Sequence, residues 1–134
     1  MTNIQIVQDA YAKFGSGDIS GLLGLCAENI NWQTPEVENA NFGGKCQGHA
    51  EVDNFFVALV TDEDITLFEP IEFIDGGEKI VVLGRSASNV KSTGKSYETD
   101  WVHIFTVNDG KITNFVEFFD NAAATRAFQK STTA

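Results

Sequence analysis

Residues Tyr97–Phe119 read YETDWVHIFTVNDGKITNFVEFF. Two alternating apolar stretches, Tyr97–Val107 and Ile112–Phe119, flank Asn108-Asp109-Gly110, the pattern of a β-hairpin. The turn decides which faces meet. A two-residue Asp109-Gly110 turn sets Val102 opposite Glu117. A type I turn through Asn108-Asp109-Gly110, closed by a left-handed Gly bulge, shifts the pairing by one. Trp101 then faces Glu117 and His103 faces Phe115. The bulged turn is expected, because it gathers Val102, Ile104, Val116 and Phe118 on one uniformly apolar face. The other face carries Trp101, His103, Phe105, Phe115 and Glu117, aromatic with two titratable groups in it.

Working outward, the period of two continues toward the N-terminus. Lys79–Lys91 reads as a long strand between the Asp75-Gly76-Gly77 and Thr93-Gly94 turns. Thr66–Ile74 alternates but contains Pro70, which lacks a ladder donor and marks an edge strand or a bulge. These stretches form a four-stranded meander. Before them the period is 3.6. Ile4, Val7, Tyr11 and Phe14 make one apolar stripe behind a Thr2–Gln5 capping box, ending at Gly15-Ser16-Gly17. Asp18 caps a short second helix with Ile19, Leu22, Leu23, Leu25 and Cys26 on its apolar side. Ile30–Thr34 reads as a short strand ending at Pro35, and Thr34–Gly48 as a polar loop. Gly48 precedes a third helix whose Val52, Phe55, Phe56 and Leu59 face inward and which stops at the acidic cluster Thr61–Asp64. Ala122–Phe128 closes the chain as a helix, with Asp120 as its expected cap. Long strands curl because twist accumulates. The expected fold is therefore α+β: a cone-shaped curled mixed or antiparallel sheet, with helices packed on its concave face and a pocket at its mouth.

Composition narrows the function. The 134 residues, 43% hydrophobic and 21% charged, predict one domain over 1–134. A net charge of −10 repels phosphate backbones and anionic lipid, so no nucleic-acid or membrane partner is expected. No apolar run approaches the ~18 residues of a membrane span. The N-terminus lacks the pattern of a signal peptide, so a cytoplasmic location is expected. Cys26 reads as core and Cys46 as an incidental loop thiol, which makes no disulfide framework. His49 and His103 lack metal-ligand spacing, and neither a phosphate-binding Gly loop nor a nucleophile elbow is present. No metal and no cofactor is expected. His49 reads as solvated, and so does Glu36.

The aromatic face carries the chemistry. A carboxylate in an apolar hollow has its pKa raised toward neutrality, while a neighbouring imidazolium lowers it. A base poised between those effects removes a proton next to a carbonyl, and an imidazole can hydrogen-bond the developing enolate oxygen. The alternative is a structural His103–Glu117 pair that satisfies itself. Asp120 is the further candidate, although capping is its preferred role.

The sequence also resembles a family. Tyr11-Ala12-Lys13-Phe14, Gly17-Asp18-Ile19, Ile30-Asn31-Trp32 and Gly48 before Phe55-Phe56 are similar to segments of SnoaL-like, ketosteroid-isomerase-related proteins. So are Asp100-Trp101-Val102-His103-Ile104-Phe105, Asn108-Asp109-Gly110-Lys111-Ile112 and Glu117-Phe118-Phe119-Asp120. These proteins belong to the cone-shaped nuclear-transport-factor-two-like superfamily, which hosts many activities. The resemblance implies that the ketosteroid isomerase base falls at Thr34, its oxyanion-hole tyrosine at Ala10 and its protonated aspartate at His103. That set does not support steroid isomerisation. Limonene-epoxide-hydrolase-like proteins carry an aspartate at the position of Asp120, but their Arg-x-Asp pair is missing at Arg85 and Ala87. SnoaL-type polyketide cyclases fit better, their acid/base aspartate aligning with Glu117 and a pocket histidine with His103.

The expectation is a cofactor-independent acid/base enzyme, cyclase- or isomerase-like, acting on an apolar carbonyl compound. Glu117 is its acid/base and His103 polarises the carbonyl. Trp101, Phe105, Phe115, Trp32, Tyr11 and Phe56 enclose the ligand. The alternatives are a non-catalytic ligand-binding or stress-related module, or a dimeric interaction domain with a vestigial pocket. A homodimer is expected in either case, because the second apolar sheet face needs cover.

Overall fold

The computed structural model describes residues 1–130. Ten elements follow in chain order: α1 (Asn3–Gly15), α2 (Ile19–Gly24), β1 (Cys26–Thr34), β2 (Gly44–Gln47), α3 (Gly48–Asp62), β3 (Glu63–Gly76), β4 (Lys79–Val90), β5 (Ser96–Asn108), β6 (Lys111–Phe119) and α4 (Asn121–Phe128). The expected helices and meander strands are all present. β1 is longer than Ile30–Thr34, and β3 begins inside the acidic cluster. The reading of Thr34–Gly48 as loop throughout is corrected: its end forms β2, a short partner that pairs antiparallel with β1 from Gly44 to Gln47.

Helix ends follow side-chain chemistry. The Thr2 hydroxyl accepts from the Gln5 amide at 3.3 Å while the Gln5 side chain accepts from the Thr2 amide at 2.9 Å. Asp18 accepts from Gly21 N–H at 2.8 Å, and Asp120 from Ala123 N–H at 3.0 Å.

The six strands lie in the order β2-β1-β6-β5-β4-β3. β1 runs parallel to β6 and every other pair is antiparallel, so the sheet is mixed. It curls without closing, and its concave face is covered by the helices. β3 is an edge strand, as Pro70 demands. Register shifts fall between Ile65 and Leu67 and between Pro70 and Glu72. Each extra residue switches strand parity. Glu63 and Ile65 therefore point inward, then Phe68, then Phe73.

The β5–β6 register corrects the expected pairing. Asp109 and Gly110 have φ of +51° and +77°, the pair of left-handed residues of a two-residue type I′ turn. Beyond it Val107 pairs with Ile112 but Thr106 pairs with Asn114, leaving Thr113 as an extra residue on β6. The bulge therefore sits in the strand rather than at the turn. His103 lies directly opposite Glu117, Trp101 opposite Phe119 and Phe105 opposite Phe115. The expected faces survive, displaced by one rung. Val102, Ile104 and Val116 lie half-buried on the outer face, where Phe118 is 57% exposed.

Candidate active site: an aromatic cavity with two carboxyl groups

A cavity of about 100 Å³ lies between α1, α3 and the concave face of the sheet. An enclosed cavity of ~150 Å³ accepts benzene; this one opens to solvent, so a larger ring compound would extend through its mouth. Every lining residue expected from the sequence lines it: Trp101, Phe105, Phe115, Trp32, Tyr11 and Phe56, together with His103 and Glu117. Asp120 does not. It is exposed, and its side chain is engaged as the α4 cap.

The rings pack into one continuous stack. Trp101 lies on His103 with centroids 3.9 Å apart and planes at 16°, and on Phe68 at 5.0 Å. Trp32 lies on Phe115 at 3.9 Å, which couples β1 to β6 through their shared rung. Gly84 makes the Trp101 position feasible. It pairs with Trp101 in the β4–β5 ladder, and a Cβ there would sit 2.2 Å from the indole Cζ2.

His103 is 4% exposed and engaged at both ring nitrogens. Nδ1 lies 2.6 Å from the Tyr11 hydroxyl and Nε2 lies 2.6 Å from Glu117 Oε2. Burial, reinforced by the negative charge of Glu117, holds the Tyr11 hydroxyl far above its ordinary pKa, so it remains a donor. An ionised Glu117 can only accept. A neutral ring beside that carboxylate takes the Nε2–H tautomer, in which Tyr11 O–H donates to Nδ1 and Nε2–H donates to Glu117 Oε2. Among the described residues nothing hydrogen-bonds Glu117 Oε1, and the side chain is 17% exposed within the cavity lining. Tyr11 was legible as a lining residue. Its role as a hydrogen-bond partner was not, although it carries the lone polar head on the α1 apolar stripe.

Sequence reasoning missed a second carboxyl group. Glu63 is 4% exposed, lines the same cavity and accepts a short hydrogen bond from the Tyr97 hydroxyl. Burial raises its pKa, opposed by the Tyr97 and Ser88 hydroxyls and assisted by the charges of Asp62 and Glu117. Glu63 is the first residue of β3, and its inward direction follows from where α3 ends at Asp62, with Asp64 next along the strand facing solvent.

A carboxyl whose pKa is raised on folding binds its proton more tightly in the folded state. Its contribution is therefore fully present below about pH 4 and is lost as pH rises through the raised value. The Glu63→Gln variant should lack this decline. Urea unfolding from pH 4 upward should show the variant gaining stability relative to wild type; parallel curves would contradict it.

Other expectations resolve simply. His49 is not free in solvent, since its Nε2 lies 3.0 Å from the Cys26 carbonyl oxygen. Arg85 pairs with Glu69 at 3.1 Å on the outside of the sheet. Cys26 is buried, which pushes its thiol up to about 12 and leaves it inert at neutral pH. Among the described residues no three His, Cys, Asp or Glu side chains cluster as a metal site requires, and no helix is long and apolar enough to cross a membrane.

A curled, open, mixed sheet wrapped on helices around a polar-centred aromatic hollow defines the NTF2-like class of α+β cone. The chain belongs to the SnoaL-like domain family, whose model matches residues 7–115. An NTF2-like protein from Burkholderia xenovorans is 38% identical, with 95% of each chain covered and a TM-score of 0.85. One from Burkholderia thailandensis is 30% identical, covering 96% of this chain and 98% of that one, with a TM-score of 0.87. TerC, co-crystallised with polyporic acid, is 30% identical over 94% of this chain and 97% of its own, with a TM-score of 0.84. No protein with a curated description matches the chain.

Proposed function

We propose that the protein binds an apolar, ring-sized carbonyl compound in the cavity and moves a proton at the carbon beside the carbonyl, without a cofactor. The observation that carries this reading is the line Tyr11–His103–Glu117, set in a largely apolar lining and ending on a carboxylate oxygen with no partner among the described residues. Glu117 is the acid/base. Its Oε2 is held by His103, leaving Oε1 to take the substrate proton. With both ring nitrogens engaged, His103 is a positioning residue rather than the group that polarises the carbonyl, and Tyr11 in turn fixes its tautomer. The indole N–H groups of Trp32 and Trp101 are buried in the lining without an acceptor among the described residues. The co-crystallisation of TerC with polyporic acid is consistent with small-molecule binding in this fold.

The test uses 2-tetralone, an apolar ring ketone with acidic protons beside its carbonyl. Deuterium incorporation in D₂O, followed by NMR, should exceed the buffer rate and saturate with ketone. Saturable binding without added exchange would support the non-catalytic module instead.

We also propose a homodimer through the outer sheet face, where Phe118 stands exposed beside Val102, Ile104 and Val116. Sedimentation should give a dimer at micromolar concentration, and Phe118→Glu should give a monomer, because a charge in an apolar contact is left unpaired. A monomeric wild type would rule the proposal out.

A further inference from the structure

Glu63 has no place in the chemistry assigned to Glu117, yet its burial carries a cost. An ionised carboxyl group taken out of water loses its solvation, which must be offset by a partner or avoided by staying protonated. Among the described residues no Lys, Arg or His pairs with it; its hydrogen-bond partner is the Tyr97 hydroxyl. An apolar residue at this inward-facing position would carry no such cost, whereas Asp64, one step along the strand, faces solvent. Instead Glu63 from the α3–β3 junction and Tyr97 from the start of β5 meet inside the cavity, with Ser88 beside them on β4. Tyr97 and His103 share one face of β5, so this group lies along the strand from the Glu117 centre.

We propose that Glu63 and Tyr97 form a second oxygen-binding subsite, so that the ligand is an apolar ring body with oxygen functions at both ends. The proposal rests on the reading of Glu117 as the base at the first end. Tyr97 donates to one carboxyl oxygen of Glu63; the Ser88 hydroxyl also lies within reach of the carboxyl group, and a ligand hydroxyl or carbonyl would share its remaining hydrogen-bonding capacity. Burial keeps the carboxyl group protonated to a higher pH than usual, and the nearby charge of Glu117 acts in the same direction. A protonated carboxyl can donate as well as accept, which suits it to either oxygen function.

The experiment compares 2-tetralone with 6-hydroxy-2-tetralone, which adds an oxygen at the far end of the same ring system. By calorimetry, wild type should bind the hydroxylated ketone about tenfold tighter, the worth of one buried hydrogen bond. Tyr97→Phe and Glu63→Ala should each erase that preference and leave 2-tetralone affinity within about twofold. Glu63→Gln, which keeps a donor and an acceptor, should retain most of it. Thermal unfolding of each variant checks folding, and Tyr97→Phe carries the test if Glu63→Ala does not fold. The proposal is overturned if wild type shows no preference, or if the preference persists in the folded variants. If 2-tetralone still binds and exchanges deuterium through Glu117 in that case, only the second subsite fails. If neither ketone binds wild type, both readings fail together.

Discussion

Glu117→Gln is expected to lower deuterium exchange into 2-tetralone by 10²–10⁴-fold, the range removed when a positioned general base is lost. The substitution is nearly isosteric. A Gln carbonyl oxygen can still accept from His103 Nε2–H, so the hydrogen-bonded line through Tyr11 should persist and folding should be unaffected. What disappears is the carboxylate oxygen Oε1, the one atom of the line with no partner among the described residues. Ketone affinity should therefore change little while exchange collapses. Tyr11→Phe separates positioning from chemistry: it removes the donor to Nδ1 and frees the imidazole tautomer, and should lower exchange less than Glu117→Gln. NMR rates for the three proteins at one pH decide the matter. Equal rates in wild type and Glu117→Gln would remove Glu117 from the mechanism.

Gly84→Ala is expected to be the most disruptive small substitution in the sheet. The added methyl would meet the Trp101 ring at 2.2 and 2.4 Å and the Glu69 carbonyl oxygen at 2.5 Å. The first contact is with a ring wedged between His103 and Phe68, the second with backbone, so neither side can yield cheaply. Overpacking of this kind costs about 1–3 kcal/mol, occasionally more, and should lower Tm by roughly 3–5 °C per kcal/mol for a chain of this size. Because Trp101 lies on His103, the variant should also lose deuterium exchange out of proportion to its fold. Gly15→Ala supplies the contrast, since nothing lies within 4 Å of a Cβ there and φ is ordinary; it should be neutral or stabilising by up to about 1 kcal/mol. Equal melting temperatures for the two variants would contradict the packing argument.

Both predictions concern residues whose placement was partly legible in the sequence. Periodicity alone separates the helical first part from the meander, because a switch from 3.6 to 2 has no other simple reading. Pro70 correctly marks an edge strand. Parity puts His103 and Glu117 on one face even though the turn was misread, since a bulge at Thr113 and a bulge at the turn change parity equally. The exact rung differs, and with it the direct His103–Glu117 contact, because bulge position depends on packing across the sheet rather than on turn residues. β2 was hidden in a polar, Gly-rich stretch: a four-residue edge strand needs no apolar alternation. Glu63 was hidden differently. An acidic run at a helix end reads as a solvated stop, and only the point at which the helix hands over to β3 decides that its middle residue faces inward.

The central claim is that a carbonyl compound sits in the cavity with its acidic carbon against Glu117. A crystal soaked with 2-tetralone tests this directly. Density for the ketone is expected among Trp32, Trp101 and Phe115, with the carbon beside its carbonyl about 3–3.5 Å from Glu117 Oε1, the spacing of a reactive contact. Density for the ketone elsewhere on the protein, or a cavity that stays closed around its own side chains at saturating ketone, would contradict it.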